Sequence, residues 1–525
     1  MANGGGLDSV CLNRHRSFPP FRGVIMDILA TMFTGAFATF LDPSILLVVL
    51  EGTVIGIVFG ALPGLSATMG VALLIPLTFT LDPVKAMGMM LGCYVGGMAG
   101  GAISAALLNI PGTPSAVVTC LDGYPMAQKG EGAQALGWAA FSSGFGSLFS
   151  WLMLVTLSPV LAVLCTSFGS PEYAALAFFG LTIIAAVSGK SLLKGLIAGI
   201  IGVIMSFIGT DPIWGDLRFT FGSMNLMTGI STIPALIGLY SVPQIIISSV
   251  SKGNPHVDSK DLKLSAFVPP IVEMWRQKWN IIRSSLIGTL IGIIPATGGN
   301  IAAFIAYDQT RRFSKEPDSF GKGNFEGVIA SEASNNGVCG GALIPMMTLG
   351  IPGDSVTAAL MGGLIIHGLR PGPALFIESP EQVAGIFATI LMATIFMVLI
   401  QCVGIKLFVR VLNVPIYYLN GFLVVLSLVG SFALRSNFFD VIMTLCIGMF
   451  GYLMIKGGFP TAPVVLGLVL GSMFEGEFRR ALKLSEGSLN IFVTHPVAFT
   501  FIAIGMIIIL HSIYKSWKQN NAATT

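Results

Sequence analysis

Residues 348–363 read TLGIPGDSVTAALMGG, which places Pro352 and Gly353 directly before Asp354 inside an otherwise apolar stretch. Proline removes a backbone donor and clashes with the preceding turn. Glycine in a helix interior costs about 1 kcal/mol against alanine. A carboxylate in hydrocarbon costs roughly 2.5–3.5 kcal/mol. Together they suit a helix that opens its backbone to a ligand: a helix restarting after the break offers N–H donors and the positive end of its dipole to an anion.

Three other stretches have the same character. Residues 60–68 (GALPGLSAT) supply Pro63, Gly64, Ser66 and Thr68; residues 108–115 (LNIPGTPS) supply Asn109, Pro111, Gly112 and Thr113. Residues 292–300 (GIIPATGGN) supply Pro295, Thr297, Gly298, Gly299 and Asn300, and the opening stretch itself supplies Ile351, Pro352, Gly353 and Asp354. With Asn335 and Asn336, these form the candidate substrate-binding set. Oxygen-rich walls also suit a small hard cation, so a sodium ion is expected near Ser66, Asn109, Asn300, Thr348 and Asp354. Alternatives stand beside these readings. Asp354 is either a plain helix cap or a cation ligand. Asn335 and Asn336 serve substrate or simply join helices by hydrogen bonds. Glu332 is a helix acid facing a polar interior or part of a gate.

The four breaks pair off. Pro63 and Pro295 lie 232 residues apart (63 to 295), and the two Ile-Pro-Gly triplets lie 241 apart (110 to 351). Two parts of the chain therefore read as copies of one unit. The loop after the third break carries Arg311, Arg312, Lys315 and Lys322, whereas its counterpart near residues 80–86 carries only Lys85. Downstream the bias reverses, with Lys129 in one copy against His367 and Arg370 in the other. Basic loops face the cytoplasm, so the copies are expected to be inverted. Paired broken helices in inverted repeats point to the substrate site of a secondary transporter.

The elements that must hold these breaks are membrane helices. Mean hydropathy is +0.83. Charged residues make up 10% of the 525, against about 25% in soluble domains. At about 20 apolar residues per crossing, the chain is expected to be an all-α polytopic membrane protein with about 12 transmembrane segments. It would hold two inverted repeats with discontinuous helices or re-entrant hairpins. Residues 1–25 read as a disordered extension or an overlong start, without the apolar core of a secretory signal. Residues 26–250 form the first transmembrane half, 251–283 a cytoplasmic or interfacial linker, 284–515 the second half and 516–525 a polar tail. The 64 glycines, about 12% against a usual 7%, mostly reflect close helix packing.

Several function classes find no support. A net charge of +3 is too small to imply nucleic acid. The seven cysteines and five histidines are scattered without metal-ligand spacing, so the cysteines read as small buried apolar side chains. No nucleophile–base pair, metal cluster or GxxxxGK[ST] pattern marks an enzyme or an ATP-driven pump. An ion or anion channel is the main alternative, and duplicated discontinuous helices argue against it.

At these residues the chain resembles the large membrane subunit of tripartite tricarboxylate transporters, the TctA family. The matching stretches are GALPGLSATMGVALLIPLTF, GIIPATGGNIAAFIAYDQTRRFSK, SEASNNGVCGGALIPMMTLGIPGDSVTAALMGGLIIHGLRPGP and GFPTAPVVLGLVLGSMFEGEFRRALKLSEGS. The family commonly carries Glu-Ala-Ala-Asn-Asn where this chain has a serine at position 333's neighbour, Ser334. The resemblance implies import of citrate-like di- or tricarboxylates across a bacterial inner membrane, coupled to a sodium or proton gradient on an elevator-like scaffold. It also implies a small membrane subunit and a periplasmic solute-binding protein as partners, with no cofactor beyond coupling ions. The remaining alternative is a carrier of another small organic anion that needs no binding protein.

Overall fold

A helix crossing lipid must satisfy its backbone internally, and the computed structural model is helical almost throughout. It describes residues 21–187, 191–211, 213–250, 268–295, 297–412, 415–433 and 435–524. Residues 1–20 of the expected extension and 251–267 of the expected linker lie outside the described residues.

The first half opens with α1 (Phe21–Leu41), α2 (Pro43–Ala61), α3 (Ala67–Leu74), α4 (Pro83–Leu108) and α5 (Val117–Gln128). It continues through the long α6 (Gly132–Cys165), then α7 (Ser170–Val187), α8 (Leu192–Ser206) and α9 (Thr232–Val250). After the short α10 (Ile271–Arg276) come α11 (Lys278–Ile293), α12 (Gly298–Phe313), α13 (Phe325–Leu349) and α14 (Ser355–Ile366). The rest is α15 (Pro373–Glu378), α16 (Pro380–Leu412), α17 (Ile416–Ala433), α18 (Phe438–Lys456), α19 (Ala462–Leu484), α20 (Ile491–Thr494) and α21 (Pro496–Thr524). The stretch expected as a polar tail is thus helical backbone through Thr524.

Seven described helices are long and apolar enough to span a membrane: α2, α4, α6, α9, α16, α18 and α21. The expected count was about 12 at about 20 residues each. Other described helices are shorter or more polar than these seven. α3, α5 and α14 are half-length pieces begun by a break, α11 and α12 are 16 residues each, and α13, though long, carries the polar run around Glu332.

The 232- and 241-residue offsets recur in the packing. Glycine faces let α2 lie on α4 and α11 on α13 almost backbone to backbone. A Cβ on Gly56 would fall 2.3 Å from the Cys93 carbonyl oxygen, and one on Gly288 would fall 2.1 Å from that of Ser334. Gly100 meets the Ile57 oxygen as Gly341 meets that of Thr289. At the breaks, Gly112 seats on the Gly60 carbonyl and Gly353 on the Gly292 carbonyl. The matched helices α4 and α13 run antiparallel where they touch: Asn335 Nδ2 donates to Met98 O (2.9 Å) and Asn336 Nδ2 to Val95 O (3.5 Å), so sequence rises on one as it falls on the other.

Around this core each half's long helix packs on the other half, α6 on α13 and α16 on α4. A second layer pairs α8 with α19, α9 with α18, and α7 with α19 and α21. The two halves differ at one connection. Residues 207–231 join α8 to α9 through a two-stranded hairpin, β1 (Gly209–Thr210) and β2 (Leu217–Arg218), where residues 457–461 suffice between α18 and α19. Arg218 of the hairpin pairs with Glu475 of α19, and Asp211 beside β1 pairs with Arg479 of the same helix and with Arg218. The Trp214 N–H and then Arg479 hold the Asp211 carboxyl well below the usual range.

The close crossings generate a stability prediction. A Cβ at Gly112 would lie 1.9 Å from a backbone oxygen and one at Gly353 2.5 Å. Gly112→Ala and Gly353→Ala should each destabilise by about 1–3 kcal/mol, read as a lower melting temperature in detergent. Gly421→Ala, with nothing within 4 Å, should change stability by less than about 0.5 kcal/mol.

Candidate functional site

The four sequence breaks meet at one cavity of about 600 Å³. Each contributes the start of a helix. Ser66 caps α3, its Oγ accepting from the Met69 N–H at 3.2 Å. Thr113 precedes a single tight turn (Pro114–Ala116) that runs into α5. Thr297 precedes α12, whose first residue, Gly298, has φ +64° and so favours glycine. Asp354 caps α14 in a capping box: its Oδ1 accepts from the Thr357 N–H at 2.8 Å, while its own N–H donates to Thr357 Oγ1 at 2.9 Å. Such starts leave N–H groups without intrahelical partners and carry about half a positive charge each.

The breaks pair across the halves. Thr68 Oγ1 lies 3.0 Å from Ser355 Oγ, joining the starts of α3 and α14. The start of α12 abuts Ser115, next to the Thr113–Ser115 hydroxyl pair at 3.1 Å. Among the described residues lining the cavity, none is lysine or arginine, and the one charged side chain is Asp354. Its Oδ2 accepts from Tyr94 OH at 2.8 Å, so both carboxylate oxygens already have protein donors.

Of the expected site residues, Gly64, Ser66, Thr68, Pro111, Gly112 and Thr113 line the cavity, as do Thr297, Gly298, Gly299, Asn300 and Asp354. The others lie behind or away from it. Pro63 and Pro295 shape the breaks, and Ile351, Pro352 and Gly353 are buried against the packed helices. Asn109 is exposed and ends α4 in the left-handed conformation (φ 57°), where the matched Gly350 ends α13 (φ 70°). Asn335 and Asn336 are fully buried on α13. Of the expected sodium neighbours, Ser66, Asn300 and Asp354 line the cavity, while Asn109 and Thr348 do not. The Thr348 hydroxyl donates to the Ile344 carbonyl at 2.7 Å. Among the described residues no three His, Cys, Asp or Glu side chains are grouped to hold a metal ion. Glu332 sits off the cavity, fully buried, with its carboxyl accepting from Thr119 of α5 and from Ser143 of α6.

The sequence reading missed Tyr240 and Gln244 of α9, Ser355, and Thr461 ahead of α19. Tyr240 and Gln244 are spaced i, i+4, which puts them on one face of a largely apolar helix; that spacing was the available signal. The second helix layer also contributes Leu239, Ile455, Ala462 and Leu466, and Leu65, Ala67, Met98, Pro114, Ser115 and Val356 complete the wall.

The capping geometry makes a prediction. Asp354→Ala removes a cap, at about 0.5–2 kcal/mol, and leaves Tyr94 OH without its acceptor. Asp354→Asn keeps the capping oxygen and should melt close to the parent, well above the alanine variant, in detergent-solubilised protein.

The model of a family described as the Tripartite tricarboxylate transporter TctA family matches residues 46–466. Two proteins of Agrobacterium vitis are similar to the chain. The "Uncharacterized 52.8 kDa protein in TAR-I ttuC' 3'region" is 34% identical over 502 residues, covering 94% of this chain and 98% of that protein. The "Uncharacterized protein in TAR-II ttuC' 3'region" is 34% identical over 232 residues, covering 44% of this chain and 96% of that protein. No solved structure matches.

Proposed function

The chain belongs to the tripartite tricarboxylate transporter TctA family, and on that premise we propose that it is the substrate-translocating subunit of an ion-coupled importer of di- or tricarboxylates in a bacterial inner membrane. The observation that carries this reading is the convergence of four helix starts on one cavity free of lysine and arginine among its described lining residues. Four dipole ends of about half a charge each offset most of the charge of a di- or trianion. They do so without a fixed cation that would hold the substrate too tightly for release. Backbone N–H groups at Gly64, Gly298 and Gly299 let the anion approach the main chain closely.

Sodium is the proposed coupling ion, with protons the other reading. The cation shields substrate charge in the cavity, and Asp354 acts as a cap rather than its ligand, because Thr357 and Tyr94 already occupy the carboxylate. A periplasmic solute-binding protein delivers substrate and a small membrane subunit completes the assembly; both partners rest on family membership.

The antiparallel contact of the matched helices α4 and α13 supports inverted repeats. So do the connections at the two ends. Lys129 Nζ donates to Lys322 O at 2.6 Å, tying one basic loop to another, whereas Thr78 Oγ1 pairs with His367 Nε2 at 3.1 Å at the opposite ends of α4 and α14. Basic loops mark the cytoplasm, so the end with Lys129, Arg311, Arg312 and Lys315 is cytoplasmic. Gln244, Ile455 and Thr461 line the cavity, and Ile455 and Thr461 flank Gly457, whose carbonyl accepts from Lys194 Nζ at 2.6 Å; we take this basic mouth, beside the α9 end that leads into the expected cytoplasmic linker, as facing inward. The breaks ride on the inner helices and the facing wall on the outer layer, an arrangement suited to elevator movement of one past the other.

Two measurements test this. In a cysteine-free background, Asp318→Cys and Arg370→Cys should label with an impermeant thiol reagent from opposite faces of the membrane; labelling from one face overturns the inverted arrangement. In proteoliposomes with the partner subunits and binding protein, an imposed sodium gradient should drive accumulation of a labelled tricarboxylate. Asp354→Asn should leave the apparent sodium affinity within a few-fold. A loss of tenfold or more, about 1.4 kcal/mol, would make Asp354 a cation ligand instead.

A further inference from the structure

We propose that the side-chain amide of Gln244, on α9 of the outer layer, is a substrate ligand, its Nε2–H group donating to a carboxylate of the bound anion beside the first break. The proposal rests on the carboxylate reading above and adds to the four breaks a ligand on the wall that faces them.

Gln244 lines the cavity and is half-buried, so its amide is open to whatever the cavity holds. Among the described residues that amide makes no hydrogen bond. A polar side chain on a membrane helix is costly and is kept where it faces the bundle interior or a wet cavity.

A glycine makes room for it. Nε2 lies over Gly64, in the turn between α2 and α3, where φ is +90°. A Cβ on Gly64 would fall 2.5 Å from Nε2, so a side chain at this position would push the amide off its seat. The backbone donors beside it are also open. In the first turn of α3 the Met69 N–H goes to Ser66 Oγ and the Gly70 N–H to Ser66 O. Those of Ala67 and Thr68, both cavity residues, have no such partner. An anion held here meets donors from both helix layers. The bond from the amide to its carboxylate is charge-assisted, and so stronger than one between neutral groups.

The repeat supplies a comparison. Thr232-Ile233-Pro234 opens α9 as Thr461-Ala462-Pro463 opens α19, 229 residues on (232 to 461), and Gly238-Leu239 matches Gly467-Leu468. The two helices also pack alike. A Cβ on Gly238 would lie 2.8 Å from the Thr444 oxygen of α18, and one on Gly467 2.3 Å from the Gly199 oxygen of α8. The position matching Gln244 is Met473, which packs beside Leu176 and Leu470 and does not line the cavity. α19 meets the cavity earlier in its length, at Thr461, Ala462 and Leu466. An apolar side chain thus meets the packing need at this position, and the amide stands in the copy that faces the cavity.

The test is titration calorimetry of the full-length protein in nanodiscs at saturating sodium, with tricarballylate as the probe. Gln244→Met keeps the length of the side chain, loses the amide and reproduces the residue at the matched position; it should weaken binding about tenfold or more at neutral pH. Gln244→Glu sets a negative charge against the anion and should bind worse still. Its gap to the parent should narrow as pH falls toward about 5 and the introduced carboxyl protonates. A merely structural role would not produce that pH dependence, which also serves alone if Gln244→Met does not fold. Binding by Gln244→Met within about twofold of the parent overturns the assignment and leaves the carboxylate reading standing. So does a Gln244→Glu protein that binds as tightly as the parent at neutral pH, or whose gap to the parent does not change with pH. Failure of the parent to bind at millimolar concentration overturns both readings.

Discussion

A backbone N–H that loses its helical partner at membrane depth must find another partner inside the protein, and the rest of this structure follows from that constraint. The chain breaks its helices at four places, and each break is tolerable only because packed helices enclose it. Enclosure demands that backbones come very close, which explains why α2 and α4, and again α11 and α13, meet through glycine. The enclosed N–H groups then face the one place where an outside partner can reach them. On the proposed function, packing and binding are therefore two results of one arrangement, and a side chain added at Gly112 or Gly353 would disturb both.

The same constraint accounts for the division of labour among polar side chains. Ser66 Oγ and Asp354 Oδ1 cap their own helix starts and so orient the remaining N–H groups. Buried hydroxyls such as Thr348 return their proton to a carbonyl one turn back and add no chemistry. Away from the cavity, Asp122 of α5 accepts from the backbone N–H groups of Gly321, Gly323 and Asn324 at 2.8–2.9 Å and from Tyr307 OH at 2.8 Å. Glu332 of α13 reaches back to Thr119 of the same α5. These acids join the two halves.

The breaks were legible in the sequence because proline, glycine and a capping residue in a row have few other meanings, and the two offsets were legible because both copies kept those residues. Eleven expected residues came together at the cavity for that reason. The far wall was harder to read, since Tyr240 and Gln244 sit in a largely apolar helix and only their i, i+4 spacing set them apart. Asn109, expected at the site, is placed instead as the exposed end of α4 in the left-handed conformation that Gly350 takes at the matched position. Apolar composition alone does not tell a full crossing from a half-helix beginning at a break, because the two have the same composition.

The clasp between α5 and the second half has a consequence for how the protein is made. Asp122 and Thr119 are synthesised about 200 residues before the loop at 321–324 and Glu332 that they bind. At about 5–20 residues per second, the first half waits on the order of ten seconds or more with a buried-type aspartate and an open helix break still unmatched. During that interval the nascent first half is an unfinished object in the bilayer, and the insertion machinery must shelter its polar seam until the complementary half emerges. Biogenesis should accordingly be more sensitive to translation speed across residues 129–320 than to changes after residue 350.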